Sequence, residues 1–158
     1  MNFLEQLVAE WYEYRGFLVR RNINVGPRPK GGHEGELDVV AFSPEEKRLV
    51  HIETSMDQLN WEQKEARFKK KFEIGKTHIP PLFAVFGTHL PIEQIALLGG
   101  SGQAHSTIGD AKVQTVCDLL REIRRGIPHD VKSHAVPEQY VILRTLQFAV
   151  ACWNKNSN

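Results

Sequence analysis

The chain has 158 residues, 41% hydrophobic and 25% charged, which suits one globular domain spanning residues 1–158 rather than two domains or a disordered tail. Twenty Lys and Arg stand against nineteen Asp and Glu, which excludes a protein that coats nucleic acid by bulk charge and confines such contact to a local patch. No apolar stretch approaches the roughly 18–20 residues needed to cross a bilayer, no signal-peptide pattern opens the chain, and Cys117 and Cys152 lie in helical, apolar stretches outside any metal-ligand spacing. A reducing, cytoplasmic setting with no membrane partner is expected.

Phe3, Leu4, Leu7, Val8 and Trp11 recur on one face of a first amphipathic helix, which Gly16 ends. Residues 17–25 (FLVRRNINV) read as a strand, and residues 26–35 (GPRPKGGHEG) as an irregular loop that is basic at Arg28 and Lys30. Residues 36–42 (ELDVVAF) and 48–54 (RLVHIET), joined by SPEEK, form a β-hairpin.

A second, heavily charged helix is expected over residues 56–72, with Gly75 as its terminator. The apolar run 82–86 (LFAVF) after Pro80 and Pro81 reads as an inner strand, residues 91–98 as a short helix, and residues 99–110 as a turn-rich connection. Helical spacing then recurs over 110–125 and 137–153. The whole is a mixed α/β layer arrangement with about four strands, in which residues 3–86 form the core and 91–153 supply C-terminal helical elements.

Side chains alternate across a strand, so Glu36 and Asp38 leave theirs on one side, while His51, Glu53 and Ser55 leave the next strand together. Two carboxylates held close repel unless a cation lies between them, and hard oxygen donors favour Mg²⁺ or Mn²⁺. Such an ion can activate water against a phosphodiester. His51 either touches the site or is hydrogen-bonded packing. Gly75-Lys76-Thr77 is not a P-loop, because Lys70 occupies the position of the required glycine. The seven histidines form no zinc pattern.

GELDVVAF followed by LVHIETS resembles the core of the PD-(D/E)XK nucleases, which have the restriction endonuclease-like fold. Asp38 matches the first acid of that motif and Glu53 the second. Glu5 in the first helix, Gly16-Phe17 and Asn22 are similar to the Holliday-junction-resolvase-like branch, and the resemblance covers residues 3–86. It implies a metal held by Asp38, Glu53 and the Thr54 carbonyl, support from Glu5, and hydrolysis of DNA, with RNA as the alternative substrate. A homodimer through the C-terminal helices is a further expectation.

Ser55 stands where the family places a lysine, and its hydroxyl has neither the charge nor the reach of an ammonium. The following helix offers Lys64, Lys69, Lys70 and Lys71 as surrogates, with Lys64 preferred because it lies two turns in. Lys69 and Lys70, with Arg28 and Lys30, are the expected phosphate contacts. The rival expectation is a catalytically inactive member of the fold, serving as a nucleic-acid-binding or protein-interaction module.

Overall fold

A computed structural model describes residues 2–86, 90–99 and 105–155. The elements run α1 (Phe3–Tyr14), β1 (Leu18–Pro27), β2 (His33–Ser43), β3 (Arg48–Ser55), α2 (Trp61–Phe83), a 3₁₀ turn (Ala84–Phe86), β4 (Ile92–Leu98), β5 (Thr107–Ile108), β6 (Ala111–Thr115), α3 (Val116–Gly126) and α4 (Val141–Lys155). The strands make one mixed sheet of six in the order β1-β2-β3-β4-β6-β5. The first three form an antiparallel meander, β3 pairs with β4 and β4 with β6 in parallel, and β5 returns antiparallel to β6.

Local chemistry explains the first elements. Asn2 caps α1 by accepting from the Leu4 and Glu5 amides, and Glu5 reaches back to the Asn2 amide, a reciprocal box that satisfies otherwise orphaned donors. Gly16, at φ 88°, then turns the chain into β1, a backbone conformation that costs a glycine little.

The sheet is larger than the four strands expected, because three segments adopt different structures from those expected. Residues 91–98, expected as a short helix, form β4 over Ile92–Leu98. Ile95 and Leu97 pack in the cluster with α1, α3 and α4, while Ala96 and Leu98 pack in a cluster with Phe68 and Phe72 of α2, so both faces of this parallel strand are covered. Residues 110–125, expected as one helix, divide into β6 and α3 at Thr115, whose hydroxyl caps α3 through the Asp118 amide. With β5, formed by Thr107–Ile108 in the connection expected over 99–110, the C-terminal part supplies three strands besides its helices among the described residues. Residues 100–104, in the expected connection between Gly99 and Asp110, lie outside the described residues.

The strand expected at 82–86 is instead the end of α2 and the 3₁₀ turn. Helix α2 begins at Trp61, capped by Asn60, and continues through Gly75, Pro80 and Pro81. The prolines forfeit bonds to the Lys76 and Thr77 carbonyls, but all four residues are exposed and water can take over those acceptors. The continuation is stabilised by Ile79 and Phe83, one turn apart, which bury against Ile23, Leu37, Val40 and Phe42. Thus α2 covers one face of the sheet, and α1, α3 and α4 cover the other. Among the described residues no helix is long and apolar enough to cross a membrane.

Candidate functional site

The register that pairs Val39 with Ile52 sets Asp38 across from Glu53 on neighbouring antiparallel strands. Such opposed side chains share a sheet face with Cβ atoms about 4.5–5.5 Å apart. Both acids are buried, Glu53 completely. The expected convergence of these two carboxylates on adjacent strands is the arrangement observed.

Each carboxylate divides its oxygens between two tasks. Asp38 Oδ2 accepts from the Thr54 amide at 2.8 Å and the Thr54 hydroxyl at 3.2 Å. Glu53 Oε1 meets His51 Nε2 at 2.8 Å and accepts from the Asp38 amide at 3.3 Å. The remaining oxygens, Asp38 Oδ1 and Glu53 Oε2, both accept from the Lys71 ammonium, at 2.9 Å in the case of Asp38. One positive charge thus lies where two hard oxygen donors meet. Burial opposes the charged form of Lys71, but the charges of Glu53 and Asp38 and their hydrogen bonds outweigh it, and its pKa stands above the ordinary lysine value.

The ammonium at the acids is therefore that of Lys71, whereas Lys64 makes no contact with them. The two lysines lie seven residues apart on the same face of α2, which is two turns or about 10 Å along the axis. Ser55 is buried, its Oγ accepting the Asp57 amide in the turn toward α2.

Asp38 opens onto a cleft of 440 Å³, lined also by Glu5, Glu36 and Thr54 on one side and by Arg67, Lys70 and Lys71 of α2 on the other, while Glu53 lies buried behind it. Asn22 of β1 joins the acidic wall. Its side-chain amide donates to Glu5 Oε2 at 3.0 Å and Glu36 Oε1 at 3.3 Å. The residue has φ 49°, and constant register to either side places it across from Asp38. Asparagine is among the few side chains that adopt this left-handed conformation readily. Glu5 thus sits at the cleft through the first helix, with Asn2 and Asn22 among its partners.

The expected phosphate contacts separate into three places. Lys70 lines the cleft, whereas Lys69 pairs with Glu65 at 2.9 Å and borders a different hollow, beside Gly109 and Asp110. Arg28 and Lys30 are exposed in the turn between β1 and β2, and Glu34 and Gly35 at the start of β2 line the cleft. Arg67, not singled out from sequence, reaches the cleft and pairs with Asp57.

The donor set suits a hard cation of modest protein ligation. Among the described residues no group of three or more His, Cys, Asp and Glu converges. Two carboxylate oxygens aimed at one point nevertheless match the way Mg²⁺ is commonly held, by one or two carboxylates with water and substrate phosphate completing the shell. The Lys71 ammonium occupies that point.

No protein-family model matches the sequence, and no curated protein matches it. Among solved structures the chain is similar to the crystal structure of AF1548, a protein of unknown function, with 16% identity and a TM-score of 0.50 over 94% of this chain and 78% of that one. At that identity the likeness speaks to the fold alone: a six-stranded mixed α/β sheet with flanking helices describes this chain.

Proposed function

We propose that the chain is a nuclease-like protein of the restriction endonuclease-like fold that hydrolyses phosphodiester bonds in DNA with Mg²⁺ or Mn²⁺, held by Asp38 and Glu53. The observation that carries this reading is the division of labour in the two carboxylates. Each has one oxygen engaged by protein donors and the other turned toward a shared cation. A surface ion pair gains little from such definition, whereas a metal site needs its ligands oriented before the ion arrives.

When bound, the ion supplies an activated water and offsets charge on the phosphoryl oxygens. The protein's own residues do the rest. Asp38 and Glu53 hold Oδ1 and Oε2 at the cation position, and the Thr54 carbonyl is the third donor proposed from the motif. Lys71 substitutes for the lysine that Ser55 replaces. Its flexible stem lets the ammonium move from the carboxylates to a non-bridging phosphate oxygen or to the attacking water while staying in the cleft. Lys70 and Arg67 on the same wall hold flanking phosphates.

The experiment is a plasmid-nicking assay with Mg²⁺ or Mn²⁺, comparing wild type with Asp38→Ala and Lys71→Met. Nicking by wild type and its loss in both variants is the expected result. No nicking by wild type with either ion overturns the enzymatic reading.

A second reading has its own supporting observation: Lys71 already neutralises part of the acid pair, and Ser55 leaves the motif lysine position without charge. On that reading the protein is an inactive member of the fold that binds nucleic acid through the α2 wall of the cleft. DNA binding that weakens with salt, in the absence of nicking, distinguishes it.

A further inference from the structure

We infer that His51 is a positioning residue for Glu53: it holds Oε1 so that Oε2 alone faces the cation position. This assignment rests on the reading of Asp38 and Glu53 as a cation site. The imidazole is completely buried in β3, between Val40 of β2 and Gln94 of β4 in the ladder, and stands edge-on to Phe72 with ring centroids 5.4 Å apart. Its Nε2 lies 2.8 Å from Glu53 Oε1, and because a carboxylate only accepts, the ring proton belongs on Nε2.

Two local features disfavour a histidine here. His51 Nδ1 is buried with no hydrogen-bond partner among the described residues, which costs stability that an apolar side chain would not lose. Furthermore, the ring fits only because α2 carries Gly75 opposite it. A Cβ on that glycine would come 2.4 Å from His51 Cε1 and Nδ1, and glycine is itself unfavourable within a helix.

Both costs fall on one spot and have one common return, an N–H bond to Glu53 Oε1. Departures from local rules that share a beneficiary are expected where a side chain serves a site rather than the core. Without that bond, Oε1 keeps only the 3.3 Å contact from the Asp38 amide, and the carboxylate can turn.

The test compares full-length wild type, His51→Leu and His51→Gln, each first shown to melt cooperatively. One readout needs no metal: the ¹⁵N–¹H correlation of the Lys71 ammonium, whose protons are retained while both carboxylates hold it. The other is Mn²⁺ affinity measured from the free-ion electron paramagnetic resonance signal. His51→Leu is expected to lose the Lys71 signal and to weaken Mn²⁺ binding by about tenfold or more, the usual effect of removing a partner behind a metal ligand. His51→Gln, whose amide nitrogen reaches the place of Nε2, restores both. If His51→Leu does not fold, His51→Asn replaces it, because its shorter amide cannot reach Oε1. A Leu or Asn variant that matches wild type in both readouts, or a Gln variant that fails to rescue, overturns the assignment. A wild type without Mn²⁺ affinity but with the loss and rescue of the Lys71 signal intact overturns the cation reading and leaves the role of His51 standing.

Discussion

The amide and the hydroxyl of Thr54 both donate to Asp38 Oδ2, so the residue directly after Glu53 on β3 fixes the opposing carboxylate on β2. The two acids are thereby held by each other's strands. Thr54→Val keeps the β-branched shape and the amide bond but removes the hydroxyl donor. It is expected to lower stability by about 1 kcal/mol, read as a lower urea midpoint at unchanged slope, while Thr54→Ser stays near wild type. Equal midpoints for the three proteins would show that the hydroxyl contributes nothing.

Lys71→Met leaves two buried carboxylates facing each other without their counter-charge. Breaking one partner out of a buried pair costs roughly 3–5 kcal/mol, and the partial exposure of Lys71 puts the expected loss near the lower end, about 3 kcal/mol. Glu53→Gln in the same chain removes one of those charges and recovers part of the loss. A double variant no more stable than Lys71→Met alone would contradict this account.

The pH dependence of that stabilisation follows from its direction. The folded pKa of Lys71 is raised above the ordinary value of 10.5, against burial, by Glu53 and Asp38. A raised folded pKa means that the folded state binds the proton more tightly, so the contribution is complete below the unfolded lysine pKa and disappears as pH rises through the folded one. On the alkaline side wild type and Lys71→Met should therefore keep their difference up to about pH 10 and converge only above it. A gap that closes between pH 6 and pH 9 in chemical denaturation curves, on the order of the neutral range, would assign the coupling to another group.

Mn²⁺ should raise the melting temperature of wild type by mass action, with about 2.7 kcal/mol of added stability at one hundred times the dissociation constant. Asp38→Asn is expected to abolish the shift. Lys71→Met is expected to keep or enlarge it, because a competing positive charge has been removed, yet to lose nicking by on the order of a hundredfold. A Lys71→Met protein that nicks like wild type would exclude Lys71 from the role that Ser55 cannot fill.

The meander and its paired acids were legible in sequence because antiparallel strands carry a period of two and a short turn fixes their register. The parallel half of the sheet was not. Ile92, Ile95 and Leu98 satisfy a helical spacing as readily as a strand covered on both faces, and only the clusters above and below β4 decide between them. Gly75 signalled an end to α2, and Pro80 and Pro81 the approach to a new strand, whereas the burial of Ile79 and Phe83 carries the helix on to Phe83. Lys64 lies two turns into a helix expected to start at residue 56; because Asn60 starts the helix later, the lysine at the acids is Lys71, two turns further along the same face. One signal was present for Lys71: it lies three residues after Phe68 and four before Gly75, beside the buried stripe, where a lysine needs a partner.

The separation of Lys69 from Lys70 gives a final discriminating test of where nucleic acid lies. Neighbours in sequence diverge by about 100° around a helix, and here one lines the cleft at Asp38 while the other pairs with Glu65 beside another hollow. A phosphate held by Lys70 contributes about one released counterion, so Lys70→Ala should weaken DNA binding similarly on every sequence and make the logarithmic salt slope shallower by about 0.9 for duplex DNA. Lys69→Ala should leave the slope unchanged, because its charge is directed elsewhere on α2. Fluorescence anisotropy titrations across a salt series measure both. The same slope change in the two variants would place DNA across the helix rather than in the cleft, whereas no change in either would remove the α2 wall from the interface.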